Sequence, residues 1–255
     1  MMLQESVQSR VHAPQGLPGD IDAWRPPLGG ESAAGFELLR LLGSGVYLGV
    51  GVPRGNGRTV VVLPGFLGGD EYLWPLRGWL RRIGYDARAS GIAFNSGTPS
   101  SLIRTLQQRV EHLSKGSSGR MIVIGHSLGG VFARVLAVTR PDLVAHAICL
   151  GSPLGKDPRG SSHPVVSGLG RMLLQERGGP EAGDALERTL LGVPLPEGTR
   201  LTSIYSRRDA VVQWRSCIDG DPRADCVEVQ GTHTGLAWNE NVYRELGPLL
   251  ASSPL

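Results

Sequence analysis

The chain is short of lysine, of cysteine and of long apolar runs, and each shortage removes a class of function. Lysine occurs only at Lys115 and Lys156 among 255 residues, so the basic character behind a pI near 9.0 is almost all arginine. Those arginines are scattered. Pairs such as Arg81-Arg82 and Arg207-Arg208 read as solvated faces rather than the concentrated stripe that nucleic-acid binding needs, so no nucleic-acid partner is expected. Three cysteines are too few for a disulfide framework. Cys149, inside Ala147-Ile148-Cys149-Leu150, reads as a small buried hydrophobe. Cys217 and Cys226 bracket a polar loop, Ile218 to Asp225, and two states are open to them: a disulfide closing that loop, or reduced thiols in a cytosolic setting. Neither a second cysteine pair nor close histidines complete a metal site there, so no metal is expected. Nothing approaches the ~18 consecutive apolar residues of a membrane span. Residues Met1 to Asp20 lack the charged-then-apolar layout of a secretory signal, because Gln4, Glu5, Gln8, His12 and Gln15 interrupt them. The expectation is a soluble, cytoplasmic monomer, secreted only if a signal was removed.

What is present suits one large α/β unit. Hydrophobic residues make up 40% and charged ones 19%, a balance that fills a core, and such folds run ~200–250 residues undivided. No internal repeat is visible. Residues 1–30, with Pro14, Pro18, Pro26 and Pro27, read as an extended N-terminal arm, leaving 31–255 as the domain. Phe36 to Leu42 reads as a short amphipathic helix whose apolar face presses on the domain, with transient contact to a lipid surface as the rival reading. Five β-type runs follow: Thr59 to Leu63, Met121 to Ile124, His146 to Leu150, Leu201 to Tyr205, and Val227 to Val229. A weaker sixth lies around Asp86 to Ala89. Runs that are apolar throughout mark strands covered on both faces, hence a parallel sheet. Helical segments lie between them at Trp74 to Ile83, Ser100 to Leu113, Leu128 to Val138 and Val242 to Leu250. Alternation of the two types predicts a doubly wound α/β architecture with helices on both faces. The connection from Leu150 to Leu201 is too long for a plain loop, and residues 154–198 read as a small cap or lid.

The chemistry concentrates in Gly125-His126-Ser127-Leu128-Gly129-Gly130. A buried strand precedes it and a helix-competent segment follows, the context in which a G-x-S-x-G turn lifts a serine hydroxyl above the end of a sheet. Side chains at Gly125 and Gly129 would collide with the adjacent strand and helix. A serine hydroxyl needs a base to take its proton. Asp209 stands just beyond the Leu201–Tyr205 strand and His233 just beyond Val227–Val229. In an open parallel sheet such loops converge at the carboxyl ends of the strands. Asp157 is a rival acid. Asp219, Asp221 and Asp225 read as solvated, and His163 as a surface residue of the cap. His126 is set aside because the strained turn points its side chain away, and His12, His112 and His146 have no supporting context. For a developing oxyanion, the N–H of Leu128 is one donor. The second falls in Pro64-Gly65-Phe66-Leu67-Gly68-Gly69, with Phe66 first and Leu67 as runner-up. Leu67, Trp74, Trp214 and Trp238 are candidate acyl-pocket residues, each equally readable as core.

Taken together, Leu63-Pro64-Gly65-Phe66, the Gly125–Gly130 elbow, Ser206-Arg207-Arg208-Asp209 and Gly231-Thr232-His233-Thr234-Gly235-Leu236 resemble the small bacterial esterase/lipase branch of the α/β-hydrolase superfamily, over roughly residues 58 to 250. The resemblance implies a serine ester hydrolase without cofactor, using Ser127, Asp209 and His233 on a small-molecule ester or lipid. It also implies a reduced, mostly parallel sheet of about six strands, since no strand is evident before Thr59. Pro64-Gly65 stands where lipases often carry His-Gly. Acyl transfer to an alcohol, C–C or amide cleavage on the same residues, and a non-catalytic ligand-binding protein are the alternatives.

Overall fold

The computed structural model describes residues 30–93, 95, 99–155 and 193–255. The expected N-terminal arm, most of the expected cap, Asp157 and His163 lie outside the described residues. Six strands form one sheet: β1 Thr59–Leu63, β2 Asp86–Ala89, β3 Met121–His126, β4 Val144–Leu150, β5 Arg200–Tyr205 and β6 Asp225–Glu228. Their order is β2-β1-β3-β4-β5-β6, and every neighbouring pair is parallel. The helices are α1 Ala34–Leu42, α2 Trp74–Arg82, α3 Pro99–Ser114, α4 Leu128–Thr139 and α5 Glu240–Ala251, with short 3₁₀ turns at Gly30–Ala33, Asp70–Leu73, Trp214–Cys217 and Thr234–Ala237. No helix among the described residues is long and apolar enough to cross a membrane.

The unbroken apolar runs are explained by the pleat. Successive side chains on a strand point to opposite faces. Val61, Leu63, Val123 and Cys149 face a core shared with α3 and α4, while Val60, Val62, Ile124 and Leu150 face one shared with α1, α2 and α5. Each side chain so buried contributes ~1.5–3 kcal/mol, which is why polar alternation is missing from the central strands. Only the edge strand β2 alternates, with Ala87 buried and Arg88 exposed.

One local expectation holds only in part and one is corrected. Helix α1 does not press all its large apolar side chains inward: Ala34 and Leu41 are buried, but Phe36 is 63% and Leu39 69% exposed, and Glu37 faces the protein. Polar donors on the loop after β6 recruit that carboxylate, which sets the helix's rotation. The loop between Cys217 and Cys226 is not simply solvated either. Asp219 is buried and forks onto the fully buried guanidinium of Arg134 on α4, with Nη2 to Oδ1 at 3.1 Å. Asp221 is buried too, accepting from the Leu195 N–H at 2.6 Å and from Arg223. These bonds staple the chain returning at Leu195 to the elbow helix. Cys149, Cys217 and Cys226 are all buried, with free thiols in this structure.

Candidate active site

The sharp turn between β3 and α4 carries Ser127 at φ 54°, ψ −122°, a conformation that costs an L-residue about 1–3 kcal/mol. Surrounding packing holds it there. The Ser127 N–H donates to the Leu150 carbonyl at 2.8 Å, and the Gly130 N–H returns to the Ser127 carbonyl at 3.0 Å. A Cβ on Gly125 would strike the backbone of Gly129 and Gly130, and one on Gly129 would strike the carbonyls of Leu63 and Pro64. Strand, helix and the loop after β1 therefore meet at backbone distance, and the two glycines of the motif are steric requirements.

Asp209 and His233 come together although 24 residues separate them. The His233 Nδ1–H donates to Asp209 Oδ2 at 2.7 Å, with both side chains buried. The other carboxylate oxygen, Oδ1, accepts from the N–H groups of Val211 and Val212, each at 2.8 Å. That fork fixes the carboxylate plane, and the carboxylate in turn fixes the imidazole proton on Nδ1, leaving Nε2 free to act as a base. A Cβ on Gly151, at φ 56°, would stand 3.1 Å from Asp209 Oδ2 and 3.2 Å from His233 Nδ1, so β4's end also abuts this pair.

Ser127 reaches the same rim through its neighbours. Its Cβ would lie 3.1 Å from a Cβ built on Gly65. The ring of His126 is 4.9 Å from that of His233, centroid to centroid, and the His126 Nε2–H donates to the His233 carbonyl at 2.8 Å. His126 thus points into the site rather than away from it, contrary to the reading from sequence. The strained φ belongs to Ser127, so it turns the chain only after His126 has left the strand in regular geometry. Burial, and secondarily the nearby His233, lower the His126 pKa to about 3, so its ring is neutral at working pH.

The loop after β1 holds the proposed donors. The Leu67 N–H is taken up by the Asn95 carbonyl at 2.9 Å. Among the described residues, the N–H groups of Phe66 and Leu128 have no hydrogen-bond partner. Asn95 braces the loop further, through its N–H to the Gly68 carbonyl at 2.7 Å and its Nδ2 to the Pro64 carbonyl at 2.9 Å. Leu67 itself sits at φ 57° with an exposed side chain, and Trp74 is also half exposed. Trp214 stacks on Tyr205 at 5.7 Å, and the guanidinium groups of Arg207 and Arg215 each lie 4.7 Å from its ring centroid. Trp238 spends its indole N–H on the Tyr72 carbonyl at 2.9 Å.

Sequence reasoning missed four groups. The Tyr72 hydroxyl accepts from the Gly65 N–H at 2.7 Å and lies 2.8 Å from His126 Nδ1; burial pushes its ionisation well above the ordinary phenol range. Glu31 accepts from the N–H groups of His233 and Thr234, at 2.9 and 2.6 Å. Glu37 takes the Thr232 hydroxyl at 2.8 Å and the Asn239 amide at 3.2 Å. Asn95 is the fourth. None carries a local signature, because each has a partner far away in the chain.

A family model described as a PGAP1-like alpha/beta domain matches residues 100–169, the part holding β3, the elbow and β4. Solved structures extend the likeness over most of the chain. A metagenome-derived lipolytic enzyme superposes with a TM-score of 0.56 at 16% identity, covering 78% of this chain and 94% of its own. The Paleococcus ferrophilus monoacylglycerol lipase gives 0.53 at 16% identity, covering 79% and 96%. Mouse alpha/beta hydrolase domain-containing protein 10 gives 0.51 at 17%, covering 78% and 90%.

The chain has the α/β-hydrolase fold.

In that fold the elbow serine, the acid and the histidine are carried on loops at the carboxyl ends of strands. Here Ser127, Asp209 and His233 follow β3, β5 and β6, with strand β4 between the first two. The α/β-hydrolase sheet is present in a reduced, wholly parallel six-stranded form among the described residues.

Proposed function

We propose that this α/β-hydrolase-fold protein cleaves carboxylic esters through an acyl-enzyme, with Ser127 as nucleophile, His233 as general base and acid, and Asp209 as the group that orients His233. The observation that carries the reading is the 2.7 Å Asp209–His233 pair at the same end of the sheet as a serine in strained backbone. His233 Nε2 takes the Ser127 hydroxyl proton as Oγ attacks the ester carbonyl carbon. The carbonyl oxygen becomes an oxyanion, held by the N–H groups of Phe66 and Leu128, which have no partner among the described residues. His233 then passes its proton to the departing alkoxide, so the alcohol leaves and the acyl group stays on Oγ. Water, deprotonated by His233, reverses the sequence and releases the acid. Asp209 stabilises the imidazolium that exists between these transfers. Esters are preferred as substrates because two of the structural neighbours are lipolytic enzymes, one of them named for monoacylglycerol. Leu67, on the oxyanion loop, and Trp74, at the start of α2, are both half exposed, and we assign them to the acyl chain.

The test is covalent labelling by a fluorophosphonate together with turnover of p-nitrophenyl esters of graded acyl length. Ser127→Ala is expected to abolish labelling and to cost on the order of 10⁶ in turnover. Equal labelling and turnover by a clean preparation of that variant would end the assignment.

A further inference from the structure

The loops bearing the oxyanion donor, the serine and the base are joined by one unbroken hydrogen-bond chain in which every proton has only one place to be. The Gly65 N–H can only donate, so the Tyr72 oxygen accepts it at 2.7 Å. The His233 carbonyl can only accept, so His126 must carry its proton on Nε2, which donates to that carbonyl at 2.8 Å. His126 Nδ1 is then a bare acceptor, and the Tyr72 O–H, 2.8 Å away, supplies its proton. Trp238, at the end of the 3₁₀ turn that follows His233, closes the loop by donating its indole N–H to the Tyr72 carbonyl at 2.9 Å. Tyr72, His126 and Trp238 thus connect the Gly65 loop, the serine elbow and the His233 loop without passing through the reacting atoms.

We propose that Tyr72 and His126 are positioning residues of the hydrolytic site, holding the Phe66 donor loop, the serine elbow and the His233 loop in one fixed mutual geometry; the proposal rests on the serine-hydrolase reading given above. Their chemistry suits that task. Between catalytic proton transfers His233 becomes a cation, and a second charged imidazole with its centroid 4.9 Å away would oppose it. His126 remains neutral there because it is buried and its two nitrogens are already committed. A residue of the same shape without the acceptor–donor pair would fill the space and fix nothing. Glutamine would preserve the pattern, since its amide oxygen can accept from Tyr72 while its amide nitrogen donates to the His233 carbonyl.

The experiment compares Tyr72→Phe, His126→Phe and His126→Gln with the native protein, each checked for folding by circular dichroism and thermal melting. In Tyr72→Phe and His126→Phe, kcat on a soluble p-nitrophenyl ester is expected to fall about 10- to 100-fold with KM changed less than about threefold. His126→Gln is expected to recover most of that loss. Nitrogen-15 NMR should find His126 as the Nε2–H tautomer in the native protein, and a mixture of tautomers in Tyr72→Phe. Native kcat in both phenylalanine variants, or a glutamine variant as poor as His126→Phe, would overturn the proposal. If His126→Phe does not fold, Tyr72→Phe set against His126→Gln decides the same question. Absence of fluorophosphonate labelling in the native protein would instead overturn the serine-hydrolase reading, and the tautomer measurement would still report on the chain itself.

Discussion

At the scale of single residues, the site is built from groups whose second hydrogen bond decides what the first can do. Asp209 offers one oxygen to His233 because the N–H groups of Val211 and Val212 hold the other. Asp209→Asn keeps the shape but can present an amide N–H to His233 Nδ1, which shifts the imidazole proton to Nε2 and removes the base. A fall in kcat of about 10⁴ with CD and melting temperature nearly unchanged is the expected result, measured with saturating ester. A variant within tenfold of the native rate would mean that Asp209 does not set the tautomer. His126 teaches the converse lesson. Its neighbour in sequence is strained at φ 54°, yet His126 itself ends a regular strand and faces inward.

At the scale of elements, the Gly30–Ala33 turn and helix α1 are tied to the His233 loop rather than merely packed on the domain. Glu31 caps the N–H groups that begin the Thr234–Ala237 turn, and Glu37 takes the hydroxyl and backbone of Thr232. A carboxylate at the start of a helical turn is favourable, since it meets unpaired donors and the positive end of the local dipole. The double variant Glu31→Ala/Glu37→Ala is expected to lose about 1–2 kcal/mol, both carboxylates being partly exposed, and to lower kcat several-fold as the His233 loop loosens. Denaturant titration and steady-state kinetics check the two effects separately; unchanged kinetics would show that α1 is only a cover. On the opposite face, Arg134 and Asp219 are both fully buried. Arg134→Met removes one partner and strands the other, with an expected destabilisation of about 3–5 kcal/mol by urea unfolding. The same change combined with Asp219→Leu should recover much of it. A single Arg134→Met variant as stable as the native protein would show the pair to be dispensable.

At the scale of the whole molecule, buried neutral histidines set the response to acid. His126 and His146 both have pKa values lowered to about 3, chiefly by burial; His146 is sealed between Ser253 at 2.7 Å and Thr202 at 2.9 Å. In the unfolded chain each would titrate near 6.5. Between pH 6.5 and 3 the unfolded state therefore binds more protons, so stability is full above that window and declines as pH falls through it. Each histidine contributes a slope of up to about 1.4 kcal/mol per pH unit. Urea midpoints measured from pH 8 to pH 4 should show this decline, and His146→Gln should flatten roughly half of it. A flat profile in the native protein would mean that neither ring is held neutral.

Much of this molecule was legible before any coordinates. Among the described residues, the six strands and five helices fall within a few residues of where apolar runs and periodicity place them, and only the 3₁₀ turns, such as Gly30–Ala33, went unread. The elbow announces itself because strand, glycines, serine and helix are contiguous, so local sterics write it directly into the chain. Asp209 and His233 were likewise readable as residues just past strand ends. Tyr72, Asn95, Glu31 and Glu37 were not, and the aspartates of the loop before β6 were misjudged as solvated. Each of these bonds to backbone or to a partner between 20 and more than 200 residues away, as Glu31 does to Thr234. Amino-acid order alone determined where regular structure forms and where a serine must be strained, because those depend on neighbours within a turn or a strand. Which polar groups become partners across the rim was decided only when the sheet assembled, because a hydrogen bond is set by angstroms in space and carries no mark of separation along the chain.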